Sequence, residues 1–65
     1  MNVSINKTSH EFDEGSTLAD AVARLDAKPP FAAAVNLQFV PNTQYLQKIL
    51  QPNDRIDIIF PVTGG

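Results

Sequence analysis

Arg55-Ile56-Asp57-Ile58-Ile59-Phe60-Pro61-Val62-Thr63-Gly64-Gly65 is the stretch on which the reading of this chain turns. Ile56, Ile58 and Phe60 alternate with Asp57 and Ile59, which is the period of a strand with one face on a core. Pro61 has no backbone N–H and fits badly inside a sheet, so strand pairing is expected to stop there. The residues after it add little to a core, and glycine loses the most entropy when ordered. A frayed chain end would look like this. So would a slender arm that offers its α-carboxylate to another molecule. The expected division is a folded domain over residues 1–60 and a flexible Gly-Gly tail over residues 61–65.

The start of the chain carries the matching pattern. Met1, Val3 and Ile5 alternate with Asn2, Ser4 and Asn6, again a strand with one buried face. Asn6-Lys7-Thr8 can turn, and Ser9 to Phe12 reads as a polar second strand suited to a sheet edge. Thr17 opens a helix, with Asp20 at capping-box spacing. Leu18, Ala21, Val22 and Leu25 put one apolar face on that helix. Asp20 and Arg24 are one turn apart and are expected to pair, and Lys28 suits the helix end. Pro29-Pro30 forbids continuation, so a helix of about 11 residues is expected.

Phe31 to Val35 is bounded by those prolines and by Asn36, which limits it to a strand with Ala33 and Val35 inward. Asn36 to Gln38 turns the chain, and Phe39-Val40 starts back before Pro41. Thr43 to Leu46 is irregular or a single helical turn. In the turn from Gln51 to Asp54, Asn53 can take the left-handed conformation. The first and last strands are the most regularly patterned, so they belong side by side in the centre. They run parallel, as the long crossover between them permits. One helix on one face of a mixed sheet of four to five strands is an α+β domain, the β-grasp.

Composition narrows the function. The chain has 65 residues, room for one small domain. Hydrophobic residues at 43% and charged residues at 18% describe a chain that folds. There is no cysteine, which removes disulfides, thiolate metal sites and a cysteine nucleophile. Lys7, Arg24, Lys28, Lys48 and Arg55 are scattered singly at a formal net charge of −2, so no basic stripe is present for nucleic acid. No apolar run is long enough to span a bilayer, and Met1 to Ser4 lacks a secretion signal's basic and apolar regions. A cytoplasmic domain is expected, with no nucleic-acid or membrane partner.

Catalytic groups are sparse. His10 has Glu11 as its strand neighbour, and neighbours in a strand point to opposite faces. It is read as exposed and idle. Ser16 and Thr17 are turn and cap residues with no base placed to activate them. Asp54 belongs to a turn and Asp57 to a strand, without calcium-loop spacing, so no metal site is expected. Gly15 stands alone and makes no phosphate loop. No catalytic residue is therefore assigned. If this domain takes part in chemistry, the reacting group is its own C-terminus.

In their order along the chain these features resemble the ubiquitin-like sulfur carriers, the ThiS and MoaD family, and the ThiS branch most closely. The resemblance rests on Met1 to Asn6, on Thr17-Leu18-Ala19-Asp20, on Ala34-Val35-Asn36 through Val40-Pro41 with Tyr45, and on Asp54 through Gly65. It implies a carrier for thiazole formation in thiamine biosynthesis rather than an enzyme. A ThiF-type adenylyltransferase would activate the carboxylate of Gly65 with ATP, a sulfur-donor enzyme would supply sulfur, and ThiG, the thiazole synthase, would consume the thiocarboxylate. Gly64 would let the end thread into a narrow site. The carrier would bind no cofactor itself, would act as a co-substrate, and would be a monomer when free.

A molybdopterin-type carrier and a ubiquitin-like interaction module stay open as alternatives, because fold alone does not separate them. Partner recognition is expected on the sheet face away from the helix, with Ile59 and Val62 as contacts. The family often has Gly after the Asn at position 36, where this chain has Leu37. A non-glycine residue at positive φ is disfavoured, so a different or longer turn is expected there.

Overall fold

The alternating patterns at the two ends of the chain form the two strands in the middle of the sheet. In a computed structural model that describes residues 1–61, the chain folds as β1 (Asn2–Ile5), β2 (Thr8–Glu11), α1 (Leu18–Leu25), β3 (Ala32–Val35), β4 (Gln38–Val40), a 3-10 turn (Asn42–Gln44) and β5 (Arg55–Ile59). The five strands make one sheet in the order β2-β1-β5-β3-β4. β1 and β5 are parallel, with Ser4 opposite Arg55 and Ile5 opposite Ile56. The other three pairings are antiparallel. This is the expected β-grasp, with the polar β2 at an edge.

Alternation decides which side chains are inside. Val3, Ile5, Ala33, Val35, Val40, Ile56 and Ile58 turn inward from the sheet, and Leu18 and Ala21 meet them from α1. Phe12 and Leu50 close the core from the connecting segments. Each fully buried Ile or Leu contributes roughly 1.5–3 kcal/mol, so a chain this short depends on nearly every one of them. β5 is the keystone, since Ile56 is fully buried and both neighbouring strands hold it.

The helix opens on the expected Thr17–Asp20 capping box but departs from expectation in its length and in the Asp20–Arg24 pair. It has 8 residues and ends before Asp26, which adopts φ 54°. The Asp26 N–H donates to the Ala23 carbonyl (3.0 Å) and the Ala27 N–H to that of Val22 (3.2 Å), a left-handed cap. Asp tolerates that conformation better than most residues, so the stop comes ahead of the prolines. Asp20 does not pair with Arg24. Its carboxylate accepts the Thr17 N–H at 2.8 Å, holding the first turn. Arg24 reaches the other way, donating to the Glu11 carbonyl at 3.1 Å with its guanidinium 4.3 Å from the centre of the Phe12 ring. Lys28 pairs with the Asp26 carboxylate at 3.0 Å, though both are too exposed to add much.

The turn at Leu37 is also corrected. Val35 and Gln38 are paired across a two-residue turn with Asn36 at φ 51° and Leu37 at φ 69°. That is the backbone of a tight hairpin turn, not a longer one. The reason lies in Asn36. Its amide oxygen accepts the Arg55 N–H (2.9 Å) and its amide nitrogen donates to Asp54 (2.9 Å), which fixes the register and holds Leu37 in the left-handed region. Asn53 takes φ 67°, the conformation expected of it.

Candidate functional site

The site grows from the alternation in β5. Because Ile56 and Ile58 are buried toward α1, Arg55, Asp57 and Ile59 stand on the opposite face. On that face Ala34 lies between Asp57 and Phe39, and Ala32 lies beside Ile59. Phe39 is 68% exposed and Ile59 58%, so two large apolar side chains flank a low floor of alanines. Arg55 and Asp57 pair at 3.1 Å and border the patch on its polar side. Along the other edge an open groove of about 350 Å³ is lined by Pro30, Phe31, Ala32, Ile59 and Pro61. The apolar surface thus runs to the point where the chain leaves the sheet.

The strand carrying this surface is held from both sides. The Asn6 side-chain oxygen accepts the Ile58 N–H at 2.8 Å, just past the end of β1. Asn36 does the same for Arg55 on the β3 side. Asp54 is a buried carboxylate that accepts from the Gln51 N–H (2.8 Å) and from Asn36, so its role is to brace the turn into β5. At the far end Phe60 meets Phe31 edge-on at 6.1 Å, and Phe31 stacks on Tyr45 at 6.0 Å. Loss of water around the Tyr45 hydroxyl raises its pKa above the ordinary phenol value.

Of the residues singled out in the sequence, Ile59 occupies the expected face. Val62, Gly64 and Gly65 lie outside the described residues. His10 is half-buried opposite Val3 rather than exposed, with its ring 6.5 Å from that of Phe12. Among the described residues, no three His, Cys, Asp or Glu side chains come together to hold a metal ion. No helix there is long and apolar enough to cross a membrane. A depression of about 530 Å³ is lined in part by Glu11, Phe12, Asp13, Asp20 and Arg24. Asp20 and Arg24 there are engaged with their own neighbours, as described for α1, and the Glu11 carboxylate accepts from the N-terminal amine at 3.2 Å.

Phe39 is the residue that sequence reading missed. The signal was available, because an inward Val40 forces Phe39 outward, onto the face that carries Ile59.

Comparison with known proteins meets this geometry from the other direction. The ThiS family model matches residues 3–65, a span that includes β5 and the terminal Gly64-Gly65. The chain belongs to the ThiS family. It is 32% identical over 66 residues to the sulfur carrier protein ThiS of Escherichia coli (strain K12), covering all of both chains. The crystal structure of the thiamine biosynthesis protein ThiS from Geobacter metallireducens superposes with a TM-score of 0.80 over the full length of both chains. At 14% identity that likeness speaks for the fold.

Proposed function

We propose that this chain is the sulfur carrier of thiamine biosynthesis, holding sulfur as a thiocarboxylate on Gly65 for thiazole formation. The observation that carries the reading is the family match running through Gly65. A free carboxylate is a poor electrophile, because its negative charge repels nucleophiles. In the proposed sequence a carboxylate oxygen of Gly65 attacks the α-phosphorus of ATP on a ThiF-type adenylyltransferase, and pyrophosphate leaves. Hydrosulfide supplied by a donor enzyme then attacks the acyl carbon, AMP leaves, and loss of the remaining sulfur proton to water gives the thiocarboxylate. The thiocarboxylate passes to ThiG, the thiazole synthase. Tethering the sulfur makes its delivery effectively intramolecular within that complex.

Each part of the chain has a place in this scheme. Gly64 and Gly65 have no side chain to obstruct a narrow active site. Phe39, Ile59 and the alanine floor form the docking face, and Val62 extends the contact along the tail. The carrier acts as a co-substrate in the cytoplasm, binds no cofactor of its own, and is monomeric between partners.

Intact-mass spectrometry after incubation with a ThiF-type enzyme, ATP and a sulfur donor tests the scheme. The expected product has one oxygen replaced by sulfur at the C-terminal residue. Full complementation of a thiazole-requiring strain by a chain lacking Gly65 would sink the proposal.

A further inference from the structure

The sheet stops holding the backbone one residue before the tail. β1 pairs with β5 only as far as Ile56, and the Asn6 side chain takes the Ile58 N–H. β3 reaches Ile59, opposite Ala32. Phe60 comes next, outside the strand and 47% exposed, and Pro61 has no N–H with which to extend a ladder. What ties Phe60 to the body is its ring, edge-on to Phe31 at an interplanar angle of 61°. Phe31 is backed in turn by the nearly parallel Tyr45 ring, at 14°. The Tyr45 carbonyl accepts the Ala19 N–H of α1 at 3.1 Å, so the row of rings is rooted in the helix.

We propose that Phe31 is a positioning residue for the reaction at the C-terminus, setting the direction in which the tail leaves the docked domain. This rests on the carrier reading. Gly65 is separated from Pro61 by only Val62, Thr63 and Gly64, a reach of about 13 Å when extended. With so short a reach, the exit direction set at Phe60 and Pro61 limits the positions the carboxylate can take, and misplacement by about 1 Å can lower a rate by roughly a hundredfold. Phe31 acts through Phe60 and is not assigned to bond formation. Its loss leaves the patch of Phe39 and Ile59 intact, so docking persists while fewer docked tails point correctly.

The experiment is steady-state adenylation of the full-length chain by the adenylating enzyme, read as ATP–pyrophosphate exchange, with folding followed by circular dichroism. Phe31→Ala is expected to lower kcat about tenfold or more, with the KM for the carrier within about twofold. Phe31→Tyr, which keeps the ring, is expected to restore kcat. A docking residue gives the opposite split, as does partial unfolding, because both raise KM. A folded Phe31→Ala chain with wild-type kcat, or with its whole loss in KM, overturns the proposal. If Phe31→Ala does not fold, Tyr45→Ala removes the ring behind Phe31 and must lower kcat in the same way. Unchanged kcat in that variant overturns the proposal as well. Failure of the wild-type chain to be adenylated would instead defeat the carrier reading beneath it.

Discussion

The two hairpins of the sheet are built alike and face outward differently. Each has a two-residue turn that opens with asparagine, Asn6-Lys7 at φ 50° and 71° and Asn36-Leu37 at φ 51° and 69°. Each asparagine also reaches onto β5, one to Ile58 and the other to Arg55. Away from α1, however, the β1–β2 hairpin presents Asn2, Ser4, Ser9 and Glu11, whereas the β3–β4 hairpin presents Ala32, Ala34 and Phe39. The turn backbones are equivalent, so the contrast lies in the alternate side chains. One hairpin finishes the sheet with an ordinary solvated edge. The other, beside Ile59 and the root of the tail, is the face proposed for docking.

The largest effect that tests this contrast is on docking. Phe39→Asp combined with Ile59→Asp puts charge into the centre of the proposed contact. It is expected to weaken binding to the adenylating enzyme by about 2–4 kcal/mol, or roughly 30- to 1,000-fold in Kd. Asn2→Asp with Ser9→Asp makes the same chemical change on the polar hairpin. It is expected to shift binding by less than about 0.5 kcal/mol. Isothermal titration calorimetry on both double variants decides the matter. Equal losses would mean that the two hairpins are not functionally distinct.

The frame of the molecule was legible because it follows from period-two patterning at the two ends of the chain. Val3 and Ile5 at one end and Ile56 and Ile58 at the other placed the central parallel pair, and outward Ile59 followed from the same alternation. The misreadings differ in cause. Asp26 ended the helix before the prolines through a local left-handed cap that Asp tolerates. Leu37 accepted a left-handed φ against its local preference, because the bonds made by Asn36 to Asp54 and Arg55, distant in sequence, hold the turn. Arg24 likewise left Asp20 for the Phe12 ring, which the fold brings to the helix. Local spacing carries no record of such partners. Phe39 was a different kind of miss, since its outward direction was implied but its neighbour Ile59 comes from a distant segment.

The two asparagines offer a second comparison, of stability. Asn36→Ala removes the acceptor for the Arg55 N–H and also one of the donors to buried Asp54, leaving that carboxylate under-satisfied. A cost of about 2–3 kcal/mol is expected in urea unfolding. Asn6→Ala removes the acceptor of a partly buried N–H but strands no charge, so about 1 kcal/mol is expected. A larger loss at Asn6 than at Asn36 would show that the brace at Asp54 matters less than its burial implies.

The smallest expected effect tests whether the two turns are equivalent in backbone alone. Lys7 and Leu37 both hold a left-handed φ that disfavours a side chain, and Leu37 is 74% exposed, so truncation there sacrifices little packing. Replacement by glycine relieves the strain but gives the unfolded chain more freedom, and the two effects partly cancel. Lys7→Gly and Leu37→Gly are each expected to stabilise the domain by roughly 0.5–1 kcal/mol, measured by thermal and urea unfolding. The strain argument requires equal gains at the two positions. A gain at Lys7 with a loss at Leu37 would mean that the exposed leucine packs on its hairpin, and the contrast between the hairpins would then begin at the turns.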